Sequence, residues 1–293
     1  MIDLHCHILP GIDDGAGNVD VSLEMARMFA ADGVSVVAAT PHILPGLYAN
    51  TGQQIRAAIR SLQAIIDDEG IPLRLVSGAD NHIVPNFVSE LRSGHLLSLA
   101  DSRYVLVEPP HHIPPPRMEE LFFNIQVAGF VPILTHPERL TWIRSHYQTI
   151  VSLASGGVLM QITAGSLIGA FGRNARYWAE RMLAEGFVHI LATDAHDTQR
   201  RPPNLSMGRD VAAKSVGAEE ATKMVLSRPS AILSNQMPDG LFARRSGVVP
   251  PGMMYSESTV NMDTGDGGRT GSSRGNRGLA DSSLAGRLRR LFE

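Results

Sequence analysis

Short apolar runs rich in β-branched residues alternate along the chain with longer stretches in which apolar residues recur every three or four positions. The short runs predict strands at Ile2–His7, Val34–Thr40, Leu73–Gly78, Tyr104–Glu108, Val131–His136, Val158–Thr163 and Val188–Thr193. The longer stretches predict helices at Val21–Ala31, Ile55–Asp68, Met118–Ala128, Tyr147–Ala154 and Ala175–Glu185. Ile55, Ile59, Leu62 and Ile66, for example, have the spacing of one buried helical face.

This alternation predicts parallel strands joined by helices, and seven strands in one series indicate a closed or nearly closed α/β barrel. The strands are almost entirely apolar, as expected for parallel strands covered on both faces. Two further helices, around Ser206–Ser215 and Ala218–Ser227, are predicted to complete the domain.

Ionisable residues follow the predicted strands at their carboxyl ends. Six of the seven strands end in His, Asp or Glu; these residues are His5, His7, His42, Asp80, Glu108, His136, Asp194 and His196. The loop after the first strand adds Asp13-Asp14-Gly15, which is either a turn or a source of a further ligand. Active sites of α/β barrels lie at this mouth, so we expect the side chains to converge there.

His5 and His7 are two residues apart on a strand, so they share one face and Cys6 takes the other. Together with Asp14, the candidate ligands number nine, which suits two or three divalent ions rather than one. Imidazole and carboxylate ligands without thiolate favour Zn, Mn or Fe. Such ions make hydroxide available near neutral pH and clamp phosphoryl oxygens, so the pattern predicts hydrolysis of a phosphate ester by metal-hydroxide attack on phosphorus.

Two arginines lie in loops that leave the same mouth. Arg139 follows His136 in His136-Pro137-Glu138-Arg139, and Arg201 follows the last ligand in Arg200-Arg201-Pro202-Pro203. A guanidinium binds two phosphate oxygens at once, so we interpret both as substrate-binding rather than surface residues. We interpret His82, His95, His146 and His189 as structural or solvated. His111 and His112, in a proline-rich loop, are candidates for a wall of the pocket.

Composition narrows the class of protein. The 293 residues are 43% hydrophobic with a formal net charge of -3, which gives no indication of nucleic-acid binding. A single cysteine excludes an internal disulfide framework. We find no apolar run long enough to span a bilayer and no charged, apolar leader at the start, and we expect a cytoplasmic protein.

The composition changes near Arg244, which divides the chain into a barrel domain at 1–244 and a tail at 245–293 rich in Gly, Ser and Arg. Such a segment is predicted to be disordered. Near its end, Leu284, Leu288 and Leu291 share one helical face among several arginines. This is either a short amphipathic helix that docks on a partner or an anionic membrane surface, or a frayed helix without a partner.

These residues, in this order and spacing, resemble the PHP (polymerase and histidinol phosphatase) superfamily. Within it they resemble the bacterial capsule and exopolysaccharide tyrosine-protein phosphatases of the CpsB/YwqE type. The matching segments run from Met1 to about Met237 and include Ile2-Asp3-Leu4-His5-Cys6-His7, Pro41-His42, Gly78-Ala79-Asp80, His136-Pro137-Glu138-Arg139 and Asp194-Ala195-His196. One departure is Asp80, where the family usually has Glu.

The resemblance implies a distorted (β/α)7 barrel with a cluster of often three ions, manganese being favoured. It implies one ion on His5, His7, Glu108 and Asp194, a second on Asp80, Glu108 and His136 with Glu108 bridging, and a third on Asp14, His42 and His196. Arg139 and Arg201 would grip the phosphate. The implied substrate is phosphotyrosine on a bacterial tyrosine kinase that controls polysaccharide synthesis. The oligomeric state is not indicated.

Two alternatives remain open from the sequence: a phosphoesterase acting on a small phosphorylated metabolite, and a metal-binding regulatory protein without turnover. The metal site would look the same in the first case, so only the pocket distinguishes it. A cysteine-dependent phosphatase is disfavoured, because the residue six positions after Cys6 is Ile12 rather than arginine.

Overall fold

The computed structural model describes residues 1–238. The predicted tail at 245–293, its terminal helix and the end of the predicted domain at 239–244 lie outside the described residues. Within residues 1–238 the strands are β1 (Ile2–Cys6), β2 (Val36–Ala39), β3 (His42–Ile43), β4 (Arg74–Ser77), β5 (Asp80–His82), β6 (Tyr104–Glu108), β7 (Val131–Thr135), β8 (Leu159–Thr163) and β9 (Ile190–Ala192).

All pairings between these strands are parallel, in the orders β1-β2-β4 and β3-β5-β6-β7-β8-β9. A parallel bridge between Cys6 and Ala195 joins β1 to the residues just after β9. There His7 N donates to Ala195 O (2.9 Å) and Asp194 N donates to His5 O (2.9 Å). The predicted α/β barrel of parallel strands in chain order is therefore confirmed.

The second and third predicted strands each break into two. The strand predicted at Val34–Thr40 is β2 with β3 beyond it, and the strand predicted at Leu73–Gly78 is β4 with β5 beyond it. The breaks separate the sheet into its two parts, because β2 pairs with β1 and β4 pairs with β2, whereas β3 pairs with β5 and β5 pairs with β6. This is the distortion that the resemblance implied.

Helices cover the outside of the strands. They are α1 (Val19–Ala31), α2 (Gly52–Asp68), α3 (Phe87–Arg92), α4 (Met118–Val127), α5 (Ile143–Ser155), α6 (Ala164–Leu167), α7 (Gly172–Ala184), α8 (Leu205–Val216), α9 (Ala218–Val225) and α10 (Ser227–Leu233). Among the described residues, two single turns of 3₁₀ helix occur at Leu99–Asp101 and Pro137–Arg139.

Capping side chains explain why two helices begin earlier than predicted. The Oδ1 atom of Asn18 accepts a hydrogen bond from Val21 N (3.0 Å) at the start of α1. A reciprocal capping box between Thr51 and Gln54 starts α2. Polar caps precede the apolar stripe, so a prediction from hydrophobic spacing alone places the start too late.

Two apolar clusters separate the inside of the barrel from its outside. The smaller cluster, which we call the lower interior, lies inside the barrel and consists mostly of strand side chains. It comprises Ile2, Leu4, Ala38, Val76, Leu99, Tyr104, Leu106, Ile133, Leu159, Ile190 and Ile232. The other, larger cluster contains Cys6 and the helix faces that pack against the strands. The interior is a packed core, as in other α/β barrels.

An irregularity in β1 turns the histidines inward. Ile2 and Leu4 lie in the lower interior, so strict alternation would send His5 to the outer face. The register between β1 and β2 shifts between Asp3 and Cys6, as in a β-bulge. A bulge places two successive side chains on one face and re-aims those that follow. His5 and His7 consequently lie above the lower interior, and Cys6 packs in the outer cluster as predicted.

Candidate metal centre at the mouth of the barrel

The carboxyl ends of the strands bring the predicted site residues together. All nine candidate ligands belong to at least one group whose ligand atoms lie within 4.8 Å of one another. The groups are His7, Asp14, His42 and His196; His5, His7 and Asp80; His5, His136 and Asp194; His42, His82 and Glu108; and Glu108, His111 and His136. Two members, His82 and His111, were not among the predicted ligands.

Three of the histidines have one ring nitrogen fixed by an acceptor that is not one of the candidate ligand atoms. His5 Nδ1 pairs with Gln161 Oε1 (2.9 Å), His7 Nδ1 pairs with Asp13 Oδ2 (2.7 Å), and His196 Nδ1 lies 3.0 Å from Asp194 O. This arrangement leaves Nε2 directed into the site, as is usual for metal-binding imidazoles. His5 Nε2 and His7 Nε2 are 3.2 Å apart and point at one place.

The carboxylate next to the histidine pair is that of Asp80. Its Oδ2 atom lies 3.3 Å from His5 Nε2, 3.6 Å from His42 Nδ1 and 3.9 Å from His136 Nε2. Asp194 Oδ1 lies 3.3 Å from the Nε2 atoms of both His5 and His7. Asp80, rather than the Glu108 that the resemblance implies, is thus the carboxylate grouped with His5 and His7 in the structure.

Glu108 lies on the other side of Asp80, among imidazoles. Its Oε2 atom is 2.7 Å from His82 Nε2 and 3.2 Å from His42 Nδ1. Its Oε1 atom is 3.3 Å from His111 Nε2 and 3.4 Å from His136 Nε2. His82 and His111 are buried, so of the two interpretations of His82, structural or solvated, the structure is consistent only with the first.

A third group is built on the loop after β1. Asp14 lies between two rings, with Oδ1 3.5 Å from His42 Nε2 and Oδ2 3.4 Å from His196 Nε2. Gly15 packs directly on β1, since a Cβ added there would lie 2.1 Å from His7 O and 2.5 Å from His7 Cβ. Only glycine permits this approach, and it brings the Asp13-Asp14 turn onto the histidine strand.

Two site residues adopt left-handed backbone conformations. His136 has φ 32° and Asp194 has φ 51°, and neither is glycine. Such conformations cost roughly 1–3 kcal/mol each and persist where the surroundings impose them. In both cases the chain turns directly after a strand, which directs the side chain over the barrel mouth.

Asp194 connects the arginines to the histidines. Its Oδ2 atom accepts hydrogen bonds from Arg139 Nη1 and Arg201 Nη2, while its Oδ1 atom faces His5 and His7. The Phe171 ring lies under both guanidinium groups, 4.3 Å from Arg139 Cζ and 5.7 Å from Arg201 Cζ. Both predicted arginines thus reach the same carboxylate.

Carboxylate acceptors hold the two arginine loops in place. Glu138 accepts hydrogen bonds from Thr163 N (2.9 Å) and Ser166 Oγ (2.7 Å), which anchors the turn that carries His136 and Arg139. Asp197 Oδ1 accepts from the backbone N–H groups of 199, 200 and 201. The guanidinium groups are thereby placed on fixed turns.

Charge pairing divides the histidines into two classes. Burial lowers the pKa values of His5, His7 and His42, but neighbouring carboxylates outweigh it and raise them to about 9, 10 and 9. Burial, together with the charge of Arg139, lowers the pKa of His136 to about 3. Burial and the charges of His7 and Arg201 lower that of His196 to about 4.

The carboxylates are held in their charged forms. Burial raises the pKa of Asp194, but Arg201, His5 and Arg139 outweigh it and hold the pKa well below its usual range. Neighbouring histidines likewise outweigh the effect of burial at Glu108 and hold its pKa well below the usual range. In the protein without ions, protonated imidazoles therefore balance buried carboxylates.

The donor set fits divalent cations. Among residues 1–238, buried atoms without a hydrogen-bond partner include Asp14 Oδ1, both Oδ atoms of Asp80, Glu108 Oε2 and His196 Nε2. Orphaned buried polar atoms are costly unless a ligand satisfies them. Several donor pairs are 3.2–3.5 Å apart, which is close to the roughly 3–3.5 Å expected of two atoms about 2.1 Å from a shared ion.

A pocket opens over the cluster. Its polar lining includes Arg139 and Arg201, and its apolar lining is Leu44, Leu47 and Tyr48. These three residues belong to a tight turn after β3, closed by backbone hydrogen bonds between Leu44 and Tyr48 (2.9 and 2.8 Å). The Tyr48 ring stacks on His42 with 5.6 Å between centroids and 15° between planes.

The sequence held a signal for one of the missed residues. Asp80 and His82 are two apart on β5, the same spacing as His5 and His7 on β1. Ending the third strand at Gly78 concealed that pattern. Gln161 could be found in the same way, because it lies two residues after Leu159 on β8 and therefore on the same face of the strand. No local spacing indicates His111, because it lies on an irregular loop.

An α/β barrel with a carboxylate–imidazole cluster and two arginines at its mouth defines a candidate metal-dependent hydrolase of phosphate esters. The model of one protein family, described as capsular polysaccharide synthesis, CpsB/CapC, matches residues 1–234. The chain belongs to this family.

Relatives within the family agree with that assignment. The chain is 36% identical to the tyrosine-protein phosphatase YwqE of Bacillus subtilis over 236 residues, which cover 80% of this chain and 92% of that protein. It is 26% identical to the tyrosine-protein phosphatase CpsB of Streptococcus pneumoniae over 246 residues, which cover 81% of this chain and all of that protein.

A solved structure shares the fold. A chain from the crystal structures of YwqE from Bacillus subtilis and CpsB from Streptococcus pneumoniae, described as unique metal-dependent tyrosine phosphatases, superposes with a TM-score of 0.78. It is 36% identical, and the match covers 81% of this chain and 96% of that one. The resemblance inferred from the motifs is therefore confirmed.

Proposed function

We propose that this protein is a metal-dependent protein-tyrosine phosphatase that hydrolyses phosphotyrosine on a bacterial tyrosine kinase controlling capsule or exopolysaccharide synthesis. The observation that carries the proposal is that Asp194 joins both arginines to the His5 and His7 pair. A phosphoryl group at this place meets two guanidinium groups on one side and the ligand cluster on the other. Family membership and the curated relatives support the same activity.

Three groups of residues are proposed to hold divalent ions. The first is His5, His7, Asp80 and Asp194, the second is Asp80, Glu108 and His136, and the third is Asp14, His42 and His196. When bound, divalent ions supply hydroxide near neutral pH and offset charge on phosphoryl oxygens. The mixture of nitrogen and oxygen donors suits manganese, with zinc or iron as alternatives.

The chain's own residues are proposed to bind and orient the phosphoryl group. Arg139 and Arg201 offer N–H donors to its oxygens and stabilise the charge that develops there. Phe171 and Asp194 hold the two guanidinium groups in position before the substrate arrives. The leaving phenol has a pKa of about 10, so a strong general acid is not required.

The turn after β3 is proposed to bind the tyrosine ring of the substrate. Leu44, Leu47 and Tyr48 form an apolar wall beside the phosphate-binding end of the pocket. A phosphoserine side chain is shorter and offers no ring to this wall. The wall therefore favours the tyrosine phosphatase over the small-metabolite phosphoesterase that the sequence left open.

No helix within residues 1–238 is long and apolar enough to cross a membrane. A cytoplasmic location and the kinase partner are proposed from the activity of the relatives. Peripheral contact with a membrane through the terminal segment stays a prediction from the sequence.

The deciding experiment is hydrolysis of a phosphotyrosine peptide by metal-stripped full-length protein. Manganese, zinc or magnesium is added back, and a phosphoserine peptide is run in parallel. We expect activity restored by manganese that prefers phosphotyrosine and is lost in His136→Ala. His95→Ala, which changes an exposed histidine, is the matched control and keeps wild-type activity.

Other outcomes select the alternatives. Metal binding with turnover of small phosphate esters but not of phosphotyrosine identifies a metabolite phosphoesterase. Metal binding without turnover of either substrate identifies a regulatory protein.

A further inference from the structure

His111 is a buried imidazole on the proline-rich loop that follows β6. It is 5% exposed, and its Nε2 atom lies 3.3 Å from Glu108 Oε1. His136 Nε2 lies 3.4 Å from the same oxygen, and the two rings are 5.1 Å apart between centroids. Two imidazole nitrogens thus converge on one carboxylate oxygen from different elements.

The distances are those of shared coordination rather than of hydrogen bonding. His111 Nε2 has no hydrogen-bond partner among residues 1–238, although it is buried. Ligand atoms about 2.1 Å from one ion are separated by roughly 3–3.5 Å, which matches both contacts. His82 differs, because its Nε2 atom lies 2.7 Å from Glu108 Oε2, closer than two ligands of one ion, and we regard it as a residue that positions Glu108.

The backbone around His111 is tied to the segment that carries His136. Thr141 donates two hydrogen bonds to His111 O, one from its backbone N and one from Oγ1, and both are 3.0 Å long. Trp142 Nε1 donates a hydrogen bond of 2.9 Å to Pro110 O. Thr141 and Trp142 follow the His136–Arg139 turn directly, so the two imidazoles are held by one connected unit. A loop fixed in this way presents a preorganised donor rather than a mobile side chain.

We propose that His111 is a further ligand of the ion held by Glu108 and His136, an inference that rests on the metal centre of the proposed function. It gives this ion two imidazoles where the family resemblance implied one. Additional nitrogen donors favour zinc, cobalt or iron over magnesium at this position. The proline-rich loop is then part of the metal centre and not only a wall of the substrate pocket.

The test is titration of the metal-free, full-length protein with cobalt(II), followed by visible ligand-field absorption, with bound metal counted by elemental analysis. His111→Ala and the near-isosteric His111→Gln are compared with wild type and with His112→Ala, which changes the exposed neighbour. We expect one ion to bind at least roughly tenfold more weakly in both His111 variants. Its absorption is expected to shift, and His112→Ala is expected to match wild type.

The outcomes separate this inference from the proposed function. If the His111 variants bind the same number of ions with unchanged affinity and spectrum, His111 is not a ligand, while phosphotyrosine hydrolysis by wild type still stands. If every ion weakens equally and the metal-free variants melt at lower temperature, the role of His111 is structural and the proposal is wrong. If His111→Ala does not fold, His111→Gln decides. Wild type that binds no cobalt overturns both proposals.

Discussion

The two halves of the barrel interior are built from the same strands by opposite physical principles. The lower interior contains apolar side chains such as Leu106 and Ile133, and it needs no partner beyond close packing. The upper half, up to four residues further along the chain, contains Glu108 and His136 and is full of buried donors and charges. The lower half is complete as folded, whereas the upper half keeps buried donors that the proposed ions would satisfy.

The comparison explains why the site can be dense in charge without unfolding the protein. Isolated buried charges cost several kcal/mol each. Here imidazoles, carboxylates and two arginines neutralise one another above a rigid apolar layer. The lower interior supplies the stability, and the upper half supplies a preorganised set of ligands.

Removing a carboxylate from the upper half is expected to have the largest effect. Asp194→Asn takes the negative charge from between two arginines and two histidines, so phosphotyrosine hydrolysis should fall by at least about 10³-fold. Steady-state kinetics on a phosphotyrosine peptide measure it, with the exposed Asp20→Asn as control. A loss of less than tenfold would mean that Asp194 is dispensable and that the two arginines do not depend on it.

Creating a cavity in the lower interior is expected to act on stability alone. Leu106→Ala should lower the free energy of unfolding by about 2–5 kcal/mol, because a buried side chain is lost and a cavity remains. Urea denaturation measures the change, and Val127→Ala on the exposed face of α4 is the control. The number of bound ions should stay the same below the melting temperature. A changed ion count would show that the two halves are not separable.

Gly15→Ala is expected to damage one ion site while leaving the fold intact. The added methyl cannot fit against His7, so the Asp13-Asp14 turn must move away from β1. We expect the ion at Asp14 to bind roughly 10- to 100-fold more weakly, as measured by calorimetric titration with manganese. Gly17→Ala meets no atom within 4 Å and is the matched control. Equal binding in both variants would contradict the role of the turn.

A further prediction concerns protons. His5, His7 and His42 have pKa values raised to about 9, 10 and 9 in the protein without ions, so they are protonated at pH 7. Their contribution to the stability of the metal-free protein is present below the unfolded pKa of about 6.5 and is lost as pH rises through 9–10.

Ion binding requires these imidazoles to be neutral and releases up to three protons. The affinity for manganese should therefore rise with pH up to about 9–10, by about tenfold per pH unit for each proton released. Calorimetry in buffers of different ionisation enthalpy counts the protons. A manganese affinity that does not change between pH 6 and 9 would contradict the pairing of these protonated imidazoles with the buried carboxylates.

Much of the barrel follows from sequence because its strands are apolar runs with ionisable ends. That pattern predicts the order of the strands and the nine candidate ligands that the structure brings together. It does not predict the breaks between β2 and β3 or between β4 and β5, which depend on pairing with different neighbours. It also misses His111, whose place depends on contacts with Thr141 and Trp142 across the mouth. The left-handed turns at His136 and Asp194 are likewise imposed by tertiary structure.

The bridge between Cys6 and Ala195 has a further consequence for how the protein is made. It joins residues 189 apart in sequence and lies between the ligand-bearing ends of β1 and β9. Contacts between residues so distant form slowly, because the chain must lose much of its freedom before they are made. On the ribosome, the first histidines emerge long before Asp194 and His196 exist. The nascent chain therefore carries an incomplete set of donors until nearly the whole barrel has been synthesised, so the complete cluster forms late in biogenesis.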